Sequence, residues 1–371
     1  MKSLKSMMDS CLAKITGKHG FVRLEDFVNS DELSAKFISS LSDGFDFEMP
    51  SSHSPVYKVA QSRARHSSIT FLMGMVFEEF GALMQKIETM FSLNDTKQKY
   101  ALWTLTSLNH DRGYTSDRLG NPKLDFEKSF GYNLLLDSYE NTKLQKLTTI
   151  NATPPHTMAY TYDEIRRYDQ YARDYHSREE GQERIDHGIL GGQILFDELI
   201  KRYVSTGKIS EFDWLQLRCS ALTIAQHNIF KSPSAKDDEY YRKFSLDRLL
   251  SKSAFRISSA TPLLLLLSLV DTVECVKRFS QSETDKKYLQ TLTVLQSIQA
   301  EVSKEQIILD FSQLRKEIEQ KKDPALLNSY NGYLDSLTKF STWTTLIGKR
   351  IDDIVILGFE ENDPMEIKVA S

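Results

Sequence analysis

The segment Ser107–Asp117, SLNHDRGYTSD, joins an apolar helical pattern to a polar, glycine-containing loop, and sets a histidine beside an aspartate at the junction. Upstream, a helix starting at about Lys97 leads into His110. Downstream, Gly113 and the polar residues after it break the helical period. A His-Asp pair by itself carries little information. The fold and the chemistry turn on whether other helices supply partners for His110 and Asp111.

Helical periodicity dominates the rest of the chain. Val59–Phe91 reads as one long helix or two consecutive ones. Thr115–Pro155 is mixed, with GNPKLDF as a turn, SFGYNLLLDSY as a helix and NATPPHT as a loop. Helical patterns resume at Tyr162–Tyr175, Arg184–Tyr203, Glu211–Phe230 and Asp238–Leu250. A further helix starts at Thr261, a good N-cap followed by Pro262 at the first helical position, and is expected to run to about Phe279. After about Ser282 the texture changes. LTVLQSIQAEV, EQIILDFS and DDIVILGFE are short, rich in Val, Ile and Leu, partly alternating, and predict strands. Helices over Gln313–Gln320 and Ala325–Leu346 lie between them. The expected protein is mainly α, with an N-terminal helical extension (1–56), a helical main domain (57–282) and a small C-terminal α+β module (283–371) containing an antiparallel sheet.

At 371 residues the chain exceeds a typical single core, which suits one large domain and a smaller one. It is 40% hydrophobic and 26% charged, the balance of an ordinary globular protein. A net charge of -4 and a pI near 6.1 give no electrostatic footprint of a general nucleic-acid binder, so such binding would need a local basic groove. The three cysteines, Cys11, Cys219 and Cys275, are far apart and form no C-x-x-C, against both a disulfide framework and a cysteine zinc site. The first twenty residues lack the long apolar core of a signal peptide. The longest apolar run, TPLLLLLSLV, is about half the length of a bilayer span. The expectation is a cytoplasmic protein without membrane segments.

Four more residues have the right chemistry to join His110 and Asp111. His66 shares a helical face with Ile69, Met73, Phe77 and Phe80. His187 lies in line with Leu190 and Ile194, and Gly191 one turn on leaves room beside the ring. His227 has Ile224, Thr223 and Ser220 on its side. Asp271 ends the run PLLLLLSLVD, with Leu264 and Leu267 stacked before it. A single histidine on an apolar face is ordinarily a hydrogen-bonded core residue. An ionised carboxylate on such a face costs several kcal/mol unless a cation or strong donors compensate. Four histidines and two aspartates projecting from apolar helices are explained together by a shared metal centre. Neutral imidazole and carboxylate suit Fe, Mn, Zn, Co or Ni.

The order H…HD…H…H…D, with the doublet at a helix end and the last aspartate in an apolar helix, resembles the HD superfamily of metal-dependent phosphohydrolases. The resemblance covers about Tyr57–Arg278; HDRGY looks like the family's H-D-x-G turn and LSLVDTVE like its terminal L-x-x-A-D helix. It implies an HD-domain helical fold. It implies that His66, His110, Asp111 and Asp271 are the core ligands converging on one metal, and that Asp111 bridges to a second. His187 and His227 match the extra histidines of the binuclear branch, which includes HD-GYP phosphodiesterases and the HD nucleases of CRISPR systems. The implied activity is hydrolysis of a nucleotide or related phosphoester through a metal-bound hydroxide, with two divalent ions as cofactors. Asp111 and Arg112 would be catalytic, and Arg112, Tyr114, Arg65 and Lys231 would contact substrate.

The chain departs from the HD-GYP pattern. The lysine of H-D-x-G-K is Tyr114 here, the histidine pair is Gln226-His227, and no G-Y-P follows, so cyclic-di-GMP is not supported as substrate. About 75 residues separate Asp111 from His187, enough for a cap. Two alternatives stand beside the phosphohydrolase: an HD nuclease on single-stranded nucleic acid, which the acidic pI disfavours, and a non-catalytic nucleotide-binding sensor or scaffold. His19, His53 and His156 are expected in loops or near the N-terminus, and Glu183 and Asp186 on an exposed helix start.

Overall fold

A computed structural model describes residues 1–15, 23–43, 55–77, 96–114, 187–188, 191–192, 194–196, 217, 220–221, 223–225, 227, 260–279, 289–303, 306–348, 354–357 and 365–369. These residues are mainly helical and carry one small antiparallel sheet. The elements are β1 (Lys2–Ser3), α1 (Leu4–Ile15), a 3-10 turn (Leu24–Asp26), α2 (Asp31–Asp43), α3 (Pro55–Phe77) and α4 (Thr96–Asn109). There follow α5 (Ala260–Val273), α6 (Val276–Phe279), α7 (Thr291–Ser297), β2 (Gln299–Val302), β3 (Gln306–Asp310), α8 (Ser312–Lys321), α9 (Pro324–Gly348), β4 (Ile354–Leu357) and β5 (Met365–Val369). The chain forms two compact units, Met1–Gln85 with Leu266–Ser371, and Lys86–Leu265. The first draws on both ends of the chain.

In the first unit, α1 buries Leu4, Met8, Cys11 and Leu12, one stripe at helical spacing. Ser30 Oγ accepts the Leu33 amide at 3.3 Å, and Asp31 and Glu32 occupy the first turn of α2, favourable at the positive end of a helix. Phe37 on α2 stacks on Phe27, with ring centroids 4.2 Å apart, and meets Phe71 of α3 edge-on at 6.4 Å. From His66 to Phe77 every residue of α3 is buried, the polar His66, Ser67, Ser68 and Thr70 among them, so this part of the helix has no solvent face.

The sheet has the order β1-β2-β3-β5-β4, antiparallel throughout. In β3, Ile307 and Leu309 are buried while Gln306, Ile308 and Asp310 are half-buried, the period-two pattern of a strand with one core face. The expected strands in EQIILDFS and DDIVILGFE are present as β3 and β4. LTVLQSIQAEV divides instead into α7 and β2. Thr291, Val294 and Leu295 are buried, a spacing of three and four that packs one face of a helix and overrides the β-rich composition. β5 was not expected, although Met-Glu-Ile-Lys-Val alternates. The predicted helices near the C-terminus correspond to α8 and α9. Asp323 Oδ1 accepts the Ala325 and Leu326 amides at 2.8 and 3.3 Å, and Pro324 fills the first position of α9.

The helix expected from Thr261 to Phe279 is interrupted. It forms α5 and α6, with Glu274 and Cys275 between them. Glu274 Oε1 accepts the Val276 amide at 2.7 Å, and this local bond competes with continued helix. Tyr333 of α9 donates its hydroxyl proton to the Val273 carbonyl at 2.8 Å, satisfying one of the acceptors left open at the end of α5.

In the second unit, α4 ends at Asn109, directly before the His-Asp doublet. Its buried polar side chains bond back to the helix: Ser107 Oγ to Trp103 O at 2.7 Å, Asn109 Nδ2 to Leu105 O at 2.8 Å. Thr106 Oγ1 lies 2.8 Å from Leu102 O and 2.9 Å from Ser220 Oγ. The described residues between 187 and 196, and those from 217 to 225, are helical, as the sequence predicts there. The expected helices at 162–175 and 238–250, and the mixed segment after Thr115, lie outside the described residues. Among the described residues no helix is long and apolar enough to cross a membrane.

Candidate metal centre

Asp111, His187 and His227, all in the second unit, each offer a ligand atom, and these atoms lie within 4.8 Å of one another. Asp111 and His227 are buried; the His187 side chain is 14% exposed. Asp111 Oδ1 is 3.4 Å from His187 Nε2 and 3.5 Å from His110 Nε2. The His110 and His227 rings meet edge-on with centroids 5.4 Å apart, and those of His187 and His227 at 5.1 Å.

The backbone fixes which ring nitrogen of two of these histidines can bind a cation. His110 Nδ1 is 2.6 Å from Ser107 O, a carbonyl in the last turn of α4. His227 Nδ1 is 2.6 Å from Ile224 O. A carbonyl only accepts, so Nδ1 carries the proton in both rings, and a neutral ring then presents its lone pair at Nε2. A second-partner bond of this kind is what orients metal-ligating histidines and raises their basicity.

Glycines let the elements of this cluster approach. A Cβ on Gly113 would overlap the His187 carbonyl oxygen and lie 2.8 Å from the Gly191 nitrogen, so the turn after the doublet needs glycine there. One on Gly192 would overlap the Ala221 carbonyl oxygen, so the helical residues near 192 also sit close to those near 221. The Tyr114 ring stacks on His187, with centroids 3.9 Å apart and planes 18° from parallel.

In the first unit, His66 of α3 faces the end of α5. Its Nε2 is 3.1 Å from Asp271 Oδ1 and its Nδ1 is 2.5 Å from Glu274 Oε2. Lys277 Nζ donates to Asp271 Oδ1 at 2.8 Å and lies 3.2 Å from His66 Nε2. Glu274 is 1% exposed. A buried carboxylate needs donors, and Glu274 has the Val276 amide and the His66 ring. With Nδ1–H given to Glu274, a neutral His66 ring presents its Nε2 lone pair on the side of Asp271 and Lys277.

The residues expected to contact substrate are placed as follows. Arg112 is 9% exposed, and its Nη1 is 3.5 Å from Asn109 Oδ1, back along α4. Arg65 is half-buried, with Nη2 3.4 Å from Asp31 Oδ1. Tyr114 stacks on His187. Lys231 lies outside the described residues. Glu274 and Lys277 were missed by the sequence reading. The signal for Glu274 is its place three residues after Asp271 in LSLVDTVE, a spacing that on a helical period sets a second carboxylate beside the first. Lys277 completes a 271–274–277 spacing whose period the turn at Glu274 hides.

Buried His and Asp side chains can therefore hold a divalent cation, and the donor set fits one: imidazole nitrogens in a fixed tautomer beside a carboxylate oxygen. Comparison of the chain with protein-family models, curated proteins and solved structures returns no match.

Proposed function

We propose that the chain is a divalent-metal-dependent phosphohydrolase acting on a nucleotide or related phosphoester. The observation that supports it best is the Asp111–His187–His227 group, with ligand atoms within 4.8 Å of one another. The ordered H…HD…H…H…D resemblance to the HD superfamily supplies the reaction class. It assigns His66, His110 and Asp271 to the same centre, with Asp111 as the bridging ligand, and His110 Nε2 lies 3.5 Å from Asp111 Oδ1. Bound there, a divalent ion would supply a Lewis acid for the phosphoryl group and lower the pKa of a water molecule to near neutrality. Asp111 contributes negative charge and a fixed carboxylate oxygen. Ser107 O and Ile224 O keep the Nδ1 protons of His110 and His227 in place, so Nε2 stays open. Tyr114, stacked on His187, limits how that ring can turn and places a phenol beside the cluster.

The test is elemental analysis of the purified protein, followed by a screen of nucleotides and cyclic nucleotides with each candidate metal. The His187→Ala variant is then compared with the native chain. A fall of about one metal ion per chain with loss of hydrolysis supports a centre of two ions that includes His187. Unchanged metal content with weaker substrate affinity makes His187 a substrate contact. A fully metal-loaded native protein that turns over no phosphoester defeats the proposal.

A further inference from the structure

Lys277 is the second residue of α6, just past the turn that Glu274 makes. Its ammonium lies 2.8 Å from Asp271 Oδ1 and 3.2 Å from His66 Nε2. Those two acceptors are 3.1 Å from each other and nearly fully buried, while the Lys277 side chain is 27% exposed. Ligands held at roughly 2.0–2.2 Å from one ion sit about 3.0–3.5 Å apart. The carboxylate and the imidazole are thus spaced as two ligands of a single cation, and the lysine presents a cation to both. His66 can accept that proton because its own Nδ1–H goes to Glu274. The lysine stem is long and flexible and its head reaches solvent, unlike the two groups it neutralises.

We infer that Lys277 is a tethered placeholder: it neutralises the His66–Asp271 pair until a divalent ion takes the pair, and is then released toward solvent. The inference rests on the reading of His66 and Asp271 as metal ligands. The single Nε2 lone pair of His66 serves one cation at a time, so an ion bound there must displace the ammonium from it. Lys277 then sets the affinity of the site. The released ammonium stays on α6, within a stem's length of the ion, where an anion brought by that ion would meet it.

The experiment measures Mn²⁺ and Co²⁺ binding to the full chain by competition with a chromogenic chelator. Lys277→Met keeps the stem and removes the charge. The expected result is binding about fivefold tighter or more, the upper end of what a part-exposed ion pair is worth. Lys277→Arg should bind metal as the native chain does or more weakly. Binding to Lys277→Met that is unchanged or weaker, in a chain that keeps its native circular dichroism, overturns the inference. If that variant does not fold, the native chain decides the matter. Brief acylation with mass-spectrometric readout should find Lys277 more reactive with saturating metal than without, relative to Lys36. Equal or lower reactivity overturns the inference. A native chain that binds no metal removes the underlying reading as well, whereas one that binds metal indifferent to Lys277 removes the inference alone.

Discussion

Replacing Gly113 with Ala puts a methyl group where the backbone of another helix already lies. The new Cβ would overlap the His187 carbonyl oxygen and stand 2.6 Å from its carbonyl carbon, where ordinary contact begins at 3.4 Å. A gap of about 0.8 Å must therefore open between the turn after the doublet and the helical residues at 187 and 191, and more at the oxygen. Both sides are backbone, so no flexible side-chain end can yield. Overpacking of this kind costs typically 1–3 kcal/mol and occasionally more. We expect the top of that range, about 3 kcal/mol, read as a lower urea midpoint with an unchanged slope. The same opening moves His187 Nε2 away from Asp111 Oδ1, now 3.4 Å distant, so metal content should fall with stability. A Gly113→Ala chain with native midpoint and native metal content would refute the close approach and the role of His187 that depends on it.

Tyr333→Phe removes the donor to the Val273 carbonyl, leaving a buried acceptor at the end of α5. The expected loss is about 2 kcal/mol by urea unfolding, and an unchanged midpoint would mean that another donor serves that carbonyl. Burial pushes the Cys275 thiol and the Tyr333 phenol well above their usual values of 9.0 and 10.0. The unfolded chain gives up these protons first, so their contribution is present below pH 9 and stability falls as the pH rises beyond each usual value. The slope is about 1.4 kcal/mol per pH unit per group once the unfolded group is ionised. Urea unfolding between pH 8 and 11 measures it, and Cys275→Ser together with Tyr333→Phe should flatten the curve.

Much of this architecture is legible in the sequence because burial imposes a period on it. Ile307 and Leu309 alternate with half-buried neighbours, and Leu4, Met8, Cys11 and Leu12 recur once per turn. Thr291–Ser297 misled because its letters favour strands while its buried positions repeat every three or four residues, set by the packing around it. His110, Asp111, His187 and His227 stand out as polar residues in apolar company, and the second unit does bring Asp111, His187 and His227 together. Lys277 was hidden by the turn that Glu274 makes. Arg112 is expected from HDRGY to meet phosphate; it is buried, with Nη1 3.5 Å from Asn109 Oδ1, a placement that no spacing rule carries. Glycine's role at position 113 was likewise out of reach, since it depends on a backbone more than seventy residues away.

β5 lies between β3 and β4, though it follows both in the chain, and β1 at the other end of the sequence closes the opposite edge. During synthesis β3 and β4 emerge first and have no ladder of bonds to each other. They become neighbours of one sheet only when residues 365–369 arrive and slot between them. The sheet therefore cannot close progressively as the ribosome advances. β1 waits until residues 299–302 arrive before it pairs, a contact order that favours slow, late completion. A nascent chain stopped short of Met365 would expose two unjoined strand edges, which invite pairing with other chains. Residues 365–369 thus act as a latch on the unit that also contains His66, Asp271 and Lys277.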